Sequence, residues 1–239
     1  MLGQKTFKGE KILKYIFNKS ETSNHLVVVF SGFSKPGVPA RYNYMRTLDD
    51  IDCNKLFILD SYGERGVYYM GLNRDQSIDI SVKMLIDDIC EKNQISSENV
   101  ITAGSSKGGY ASIYFAFKYG YGHCIAGSPQ SQIGNYLLEE VDCANVATDI
   151  SGGATNQDKQ YLNSLLFNVI QNTPYQPNIN IHLGKGEEHY SKHVVPLIQW
   201  LDKKGIDYNL DLGDYSKHAE VATHYPPFLI DHVSKIVNS

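Results

Sequence analysis

Cysteine is sparse and scattered in this chain. Cys53, Cys90, Cys124 and Cys143 form no Cys-x-x-Cys pair, which argues against a zinc ribbon or a dithiol redox motif. Cys124, in an apolar strand-like run, and Cys90, on the apolar side of a helical pattern, read as small buried hydrophobes. Lys/Arg blocks with interleaved aromatics are missing, and the net charge is -4, so nothing electrostatic favours nucleic acid. No apolar run approaches the ~20 residues of a membrane span. Met1 to Thr6 contains no apolar stretch of the kind that opens a signal peptide. The expected location is therefore cytoplasmic. Internal repeats and low-complexity tracts are also absent. What remains is an ordinary globular composition, 42% hydrophobic and 20% charged, in 239 residues. That length suits one α/β domain over residues 1–239 with a substantial core.

Apolar runs and helical patterns alternate along the chain. Lys5 to Phe17 alternates loosely, as a β-hairpin does. His25–Phe30 and Lys55–Asp60 are continuous apolar runs, the pattern of strands buried on both faces. Ser77 to Lys92 carries Ile78, Val82, Leu85, Ile86 and Ile89 at helical spacing. Further strands are expected at Val100–Ala103, Gly122–Ser128, Ile179–Leu183 and Tyr208–Leu212. Helices are expected at Val194–Lys204, ended by Gly205, and at Pro226–Val237, with the two prolines in the first turn. This order predicts a mostly parallel sheet with helices on both faces. Residues 129–177 break the rhythm and read as a modest cap insertion with one clear helix around Tyr161–Ile170.

The most telling stretch is Gly104-Ser105-Ser106-Lys107-Gly108-Gly109. It follows an apolar strand and leads into Tyr110–Phe117, a helical pattern. Gly-x-Ser-x-Gly between a strand and a helix is the nucleophile elbow of an α/β-hydrolase, with Ser106 at its centre and Ser105 beside it as a decoy. A P-loop would need lysine after the second glycine, whereas Lys107 precedes Gly108. A Gly-x-Gly-x-x-Gly dinucleotide fingerprint is absent.

A serine hydroxyl needs a base, and in this fold the order is Ser, Asp/Glu, His. The histidine belongs on the loop between the last strand and the last helix. His218 fits that place; His224, just before Tyr225-Pro226-Pro227, is the alternate and better suited to positioning the helix. The acid belongs after the strand ending at Leu183, in Gly184-Lys185-Gly186-Glu187-Glu188. Glu188 has the usual offset from the strand, with Glu187 the alternate and Asp142 and Asp149 the fallback. The oxyanion donors should be the Lys107 N–H and an N–H of Ser31-Gly32-Phe33-Ser34, best that of Phe33. The Lys107 side chain then has two places to go: an anionic substrate group or solvent. Glu187-Glu188-His189 is not a metal pair at helical spacing, so neither metal nor cofactor is expected.

Together, Ser31-Gly32-Phe33, the elbow, Gly184-x-x-x-Glu188 and His218 resemble the α/β-hydrolase superfamily over nearly the whole chain. The Gly-Ser-Ser-Lys-Gly-Gly elbow is similar to that of the accessory Sec system component that resembles glycan O-acetyltransferases. It is also similar to the elbow of a group of capsular-polysaccharide biosynthesis proteins. The resemblance implies a Ser, Glu and His set. The expected activity is a serine esterase or deacylase acting on a small-molecule or glycan acyl ester. A glycan O-acyltransferase with the same triad is the alternative, and a non-catalytic module of this fold is a third. The acyl group, the alcohol and the oligomeric state are not specified by these patterns.

Overall fold

In the computed structural model, which describes residues 3–239, eight strands form one sheet. They are β1 (Lys5–Lys8), β2 (Ile12–Asn18), β3 (Leu26–Phe30), β4 (Asn54–Leu59), β5 (Val100–Ser105), β6 (His123–Gly127), β7 (Asn178–Gly184) and β8 (Tyr208–Gly213). Their order across the sheet is β1-β2-β4-β3-β5-β6-β7-β8. The hairpin β1–β2 and the β2–β4 pair are antiparallel; every other pair is parallel. The helices are α1 (Ser77–Asn93), α2 (Lys107–Tyr119), α3 (Ile133–Asn135), α4 (Ala144–Ser151), α5 (Asn156–Asn172), α6 (Val195–Lys204) and α7 (Val221–Val237).

The run Leu26–Phe30 shows why the sheet is buried on both sides. Leu26, Val28 and Phe30 join one core, with residues of α1, α2, α5 and α6. Val27 and Val29 join the other, with Leu48 and the α7 residues Val221, Tyr225, Leu229 and Val233. Strand side chains alternate faces, so a run apolar at every position fits two covered faces. Cys124 is fully buried in the first core, and burial pushes its thiol up to about 12. Cys90 is only half-buried.

The start of the last helix departs from the sequence reading. α7 begins at Val221, so Pro226 and Pro227 lie inside it. The first four N–H groups of a helix have no intrahelical acceptor, and the two prolines fall just beyond them. His224 is thus a helical residue, stacked on Tyr215 at a centroid distance of 4.4 Å. In the segment 129–177, α5 runs from Asn156 to Asn172 behind a Thr155–Asp158 capping box. It packs Leu162, Leu166 and Ile170 into the same core as α2. The part that borders the elbow is the shorter stretch from Ser128 to Cys143.

Candidate active site

The elbow is built by close packing at β5 and α2. A Cβ on Gly104 would stand 2.6 Å from the Gly108 carbonyl carbon, and one on Gly108 would stand 2.5 Å from the Phe30 oxygen. Only glycine lets the strand, the helix and the end of β3 come this near. Between the glycines Ser106 is held at φ 55°, ψ -117°, a strained conformation for a side-chain-bearing residue. Its N–H donates to the Gly127 carbonyl at 2.8 Å. Ser105 bonds the Tyr44 hydroxyl at 2.6 Å.

Ser106 Oγ lies 3.1 Å from His218 Nε2, and His218 Nδ1 lies 2.8 Å from Glu187 Oε2. The expectation that Glu188 faces the histidine is not met. Glu188 is the first helical residue after the turn, its side chain is 80% exposed, and it pairs with Lys192 one turn on. The Glu187 side chain is 1% exposed. Burial alone would raise its pKa, but bonds from His218, the Gly184 N–H and Ser128 outweigh that and hold the carboxyl below its usual range. His224, Asp142 and Asp149 make no contact with this chain of bonds; Asp149 lies on α4.

Two residues without a sequence signal complete the chain of bonds. Gln130, fully buried, donates from Nε2 to Ser106 Oγ at 3.0 Å and accepts from the Tyr68 hydroxyl at 2.7 Å. Ser128, at φ 40°, donates to Glu187 Oε2 at 2.8 Å. Both follow β6, on the shoulder of the elbow.

The loop after β3 lies against the start of α2, as the Gly108–Phe30 contact requires. Its Gly32 N–H is held by Asn43 Oδ1 at 2.9 Å. The Phe33 ring carries the Arg65 guanidinium 3.9 Å from its centre, and Arg65 Nε donates to the Ser34 carbonyl. The Lys107 side chain takes neither place anticipated for it. It is fully buried, with Nζ 2.7 Å from Asp60 Oδ2. Burial lowers its pKa against the pull of Asp60. Asp60 also receives the Val67 N–H at 2.9 Å and the Tyr69 N–H at 3.3 Å. An anionic substrate therefore has no access to this ammonium.

Behind His218 sit His189, at a ring-centroid distance of 4.1 Å, and His193, 5.0 Å further on. Two groups have metal-ligand proximity: Glu140, His189 and His193, and Glu187, His189 and His218. The first fits a cation poorly. His193 Nδ1 accepts the N–H groups of Ser131 and Gln132, which puts the proton on Nε2, 3.3 Å from Glu140. The second is already engaged in the Ser106–His218–Glu187 bonds.

Burial, with neighbouring positive charge, brings His189 down to about 3 and His193 to about 4. Unfolding wets both rings, and each then takes a proton below about pH 6.5. The unfolded chain binds more protons in that interval, so stability falls as pH drops from 6.5 toward 4. Between pH 7 and pH 5, His189→Phe is expected to lose about 2 kcal/mol less stability than wild type in urea unfolding. Equal losses would mean that His189 takes up its proton in the folded state.

The parallel sheet, the elbow and the loop-borne histidine define an α/β-hydrolase fold. Among solved structures, the capsule O-acetyltransferase of Neisseria meningitidis serogroup A superposes with a TM-score of 0.82 at 20% identity, covering 98% of this chain and 96% of that one. A histidine-to-alanine mutant of that transferase is known in complex with CoA. The glycosylation-associated Gap123 complex of Streptococcus agalactiae gives 0.81 at 18% identity, over 98% of this chain and 47% of that one. The fluorophosphonate-binding serine hydrolase F of Staphylococcus aureus gives 0.71 at 16% identity, over 99% and 98%. At these identities the likeness is one of fold. No protein-family model and no curated protein sequence matches the chain. No helix is long and apolar enough to cross a membrane, among the described residues.

Proposed function

We propose that this chain is a serine enzyme that moves an acyl group through an acyl-enzyme at Ser106 onto a sugar hydroxyl. The carrying observation is the unbroken line Ser106 Oγ–His218 Nε2 and His218 Nδ1–Glu187, at 3.1 and 2.8 Å. In the first half-reaction Ser106 Oγ bonds to the acyl carbon while His218 takes its proton. The Lys107 and Phe33 N–H groups receive the charge that develops on the carbonyl oxygen. The donor's C–S or C–O bond breaks, and His218 returns the proton to the departing thiol or alcohol. In the second half the acceptor hydroxyl gives its proton to His218, takes the acyl group, and Ser106 recovers its proton. Glu187 stays ionised and steadies the imidazolium in both halves.

The higher TM-score against the capsule O-acetyltransferase, 0.82 against 0.71 for the serine hydrolase, supports a carbohydrate acceptor. The likeness to serine hydrolases supports the second reading, an esterase or deacylase in which water replaces the sugar. A non-catalytic module would have no need for the strained Ser106 or for a carboxylate buried against a histidine. The deciding experiment supplies an acyl donor with and without an oligosaccharide. Transfer is expected to divert product from free acid to acylated sugar in proportion to acceptor. If acceptor leaves the product ratio unchanged, the hydrolase reading stands. A fluorophosphonate that leaves Ser106 unlabelled under native conditions would defeat both.

A further inference from the structure

Gln130 is a buried amide aimed at a reacting atom. Its Nε2 donates to Ser106 Oγ at 3.0 Å, and its Oε1 takes the Tyr68 hydroxyl at 2.7 Å. Neither Gln130 nor Tyr68 has any solvent exposure. The chain on either side of Gln130 is pinned. The Ser128 N–H donates to the His182 carbonyl at 2.6 Å, and the Ser131 hydroxyl donates to the His193 carbonyl at 2.6 Å. The Tyr68 ring meets that of Tyr110 edge-on, with 5.4 Å between centres. Turning the amide away from the serine would break its bond to Tyr68 in a place closed to solvent. The orientation of the amide also matters. With Nε2 on Ser106, Gln130 brings a hydrogen and takes none, so the serine proton is left for His218 Nε2, 3.1 Å away. A reversed amide would set its oxygen in competition with His218 for that proton.

An oxyanion-hole donor serves the carbonyl oxygen of the substrate. Gln130 serves the serine oxygen itself. A donor bond strengthens as negative charge gathers on its acceptor. Ser106 Oγ carries least charge as the ester oxygen of an acyl-enzyme, and most while its bond to the acyl carbon is being made or broken. Gln130 therefore favours the charged oxygen over the acylated one, which makes Oγ a weaker base and a better leaving group. We propose that Gln130 is a catalytic residue of the second half-reaction, donating to Ser106 Oγ as the acyl group departs. In that step the acceptor oxygen bonds to the acyl carbon, the C–Oγ bond breaks, and its electron pair stays on Oγ. Oγ then takes the proton that His218 drew from the acceptor. The result is a short-lived acyl-enzyme. This rests on the acyl-enzyme reading above.

Gln130→Met keeps the volume and removes the donor. The Tyr68→Phe/Gln130→Met double variant also removes the hydroxyl that would otherwise be buried without a partner, so the test does not depend on the single variant folding. Stopped-flow turnover of p-nitrophenyl acetate separates the burst of acylation from the steady release that follows deacylation, and intact-protein mass spectrometry counts acetyl-Ser106 during turnover. In both variants the ratio of the acylation to the deacylation rate constant is expected to rise about tenfold or more, the scale of one hydrogen bond to a charged acceptor, with acetyl-enzyme accumulating. Tyr68→Phe alone keeps Nε2 on the serine and should move the ratio far less. Equal slowing of both steps, as a merely structural role would give, overturns the proposal, and so does an unchanged ratio. A ratio that falls would put Gln130 in the first half-reaction and overturn it as well. A wild type that takes neither acetyl nor fluorophosphonate on Ser106 defeats the acyl-enzyme reading and this assignment together. A wild type that acylates normally, beside variants with its ratio, removes Gln130 alone.

Discussion

Replacing Ser106 by Ala, or Glu187 by Gln, is expected to lower kcat by about 10⁴-fold or more, whereas Glu188→Gln should stay within about twofold of wild type. The contrast follows from what each carboxylate touches. Glu187 Oε2 takes the His218 Nδ1 proton and the Ser128 hydroxyl, and its other oxygen takes the Gly184 N–H. A glutamine amide cannot accept all three, and its NH₂ would face a donor. It would favour the imidazole tautomer with the proton on Nε2, the atom that must accept the proton of Ser106. Glu188 loses only a solvent-screened contact with Lys192. Single-turnover rates with an activated ester would measure all three variants. Comparable losses for Glu187→Gln and Glu188→Gln, or a Glu187→Gln enzyme near wild type, would remove Glu187 from the mechanism. Gln130 offers a smaller companion effect. Its removal frees Ser106 Oγ from one donor and leaves the Tyr68 hydroxyl unpartnered.

The elbow was legible because everything that makes it is local. Gly104, Ser106 and Gly108 are adjacent in sequence, and the apolar strand and helix on either side state the context. The order of elements also brought His218 toward Ser106, since the loop after the last strand lies at the same end of the strands as the elbow. The carboxylate that faces His218 stands one residue before the expected Glu188, because offset from a strand end does not say which way a turn points. The turn here closes with Glu187 N–H on the Gly184 carbonyl, and the helix starts immediately after. A usable signal existed: Glu188 stands four residues before Lys192, the spacing of an exposed helical ion pair. His189 and His193 share that spacing, which lines them up edge to face behind His218. Ser128 and Gln130 had no such signal, because their roles depend on β6 lying beside β5. The same applies to Lys107, whose partner Asp60 is 47 residues away at the end of β4.

That buried pair leads to the largest stability effect expected in the molecule. Lys107→Met should destabilise the fold by about 3–5 kcal/mol, the usual result of stranding one member of a buried ion pair. For a chain of this size that is a fall of roughly 10 °C in Tm. The residues around Asp60 explain the size of the effect. Its carboxylate keeps the Val67 and Tyr69 N–H groups, but loses the Lys107 ammonium at zero solvent exposure. A Cβ on Gly66 would stand 2.3 Å from Lys107 Nζ, so the backbone at Gly66 lies directly against the ammonium. Asp60→Asn should also destabilise, by less, because the stranded lysine is already biased toward its neutral form by burial. The double variant should lose less than the sum of the two, with a coupling above about 1.5 kcal/mol in a thermodynamic cycle. Activity separates the side chain from the backbone. The Lys107 N–H survives the substitution, so well below the melting point kcat should fall far less for Lys107→Met than for Ser106→Ala. A Lys107→Met protein that melts with wild type would mean that the ion pair contributes nothing to the fold. One that is stable but inactive would move the lysine from holding the elbow in place to acting in the reaction.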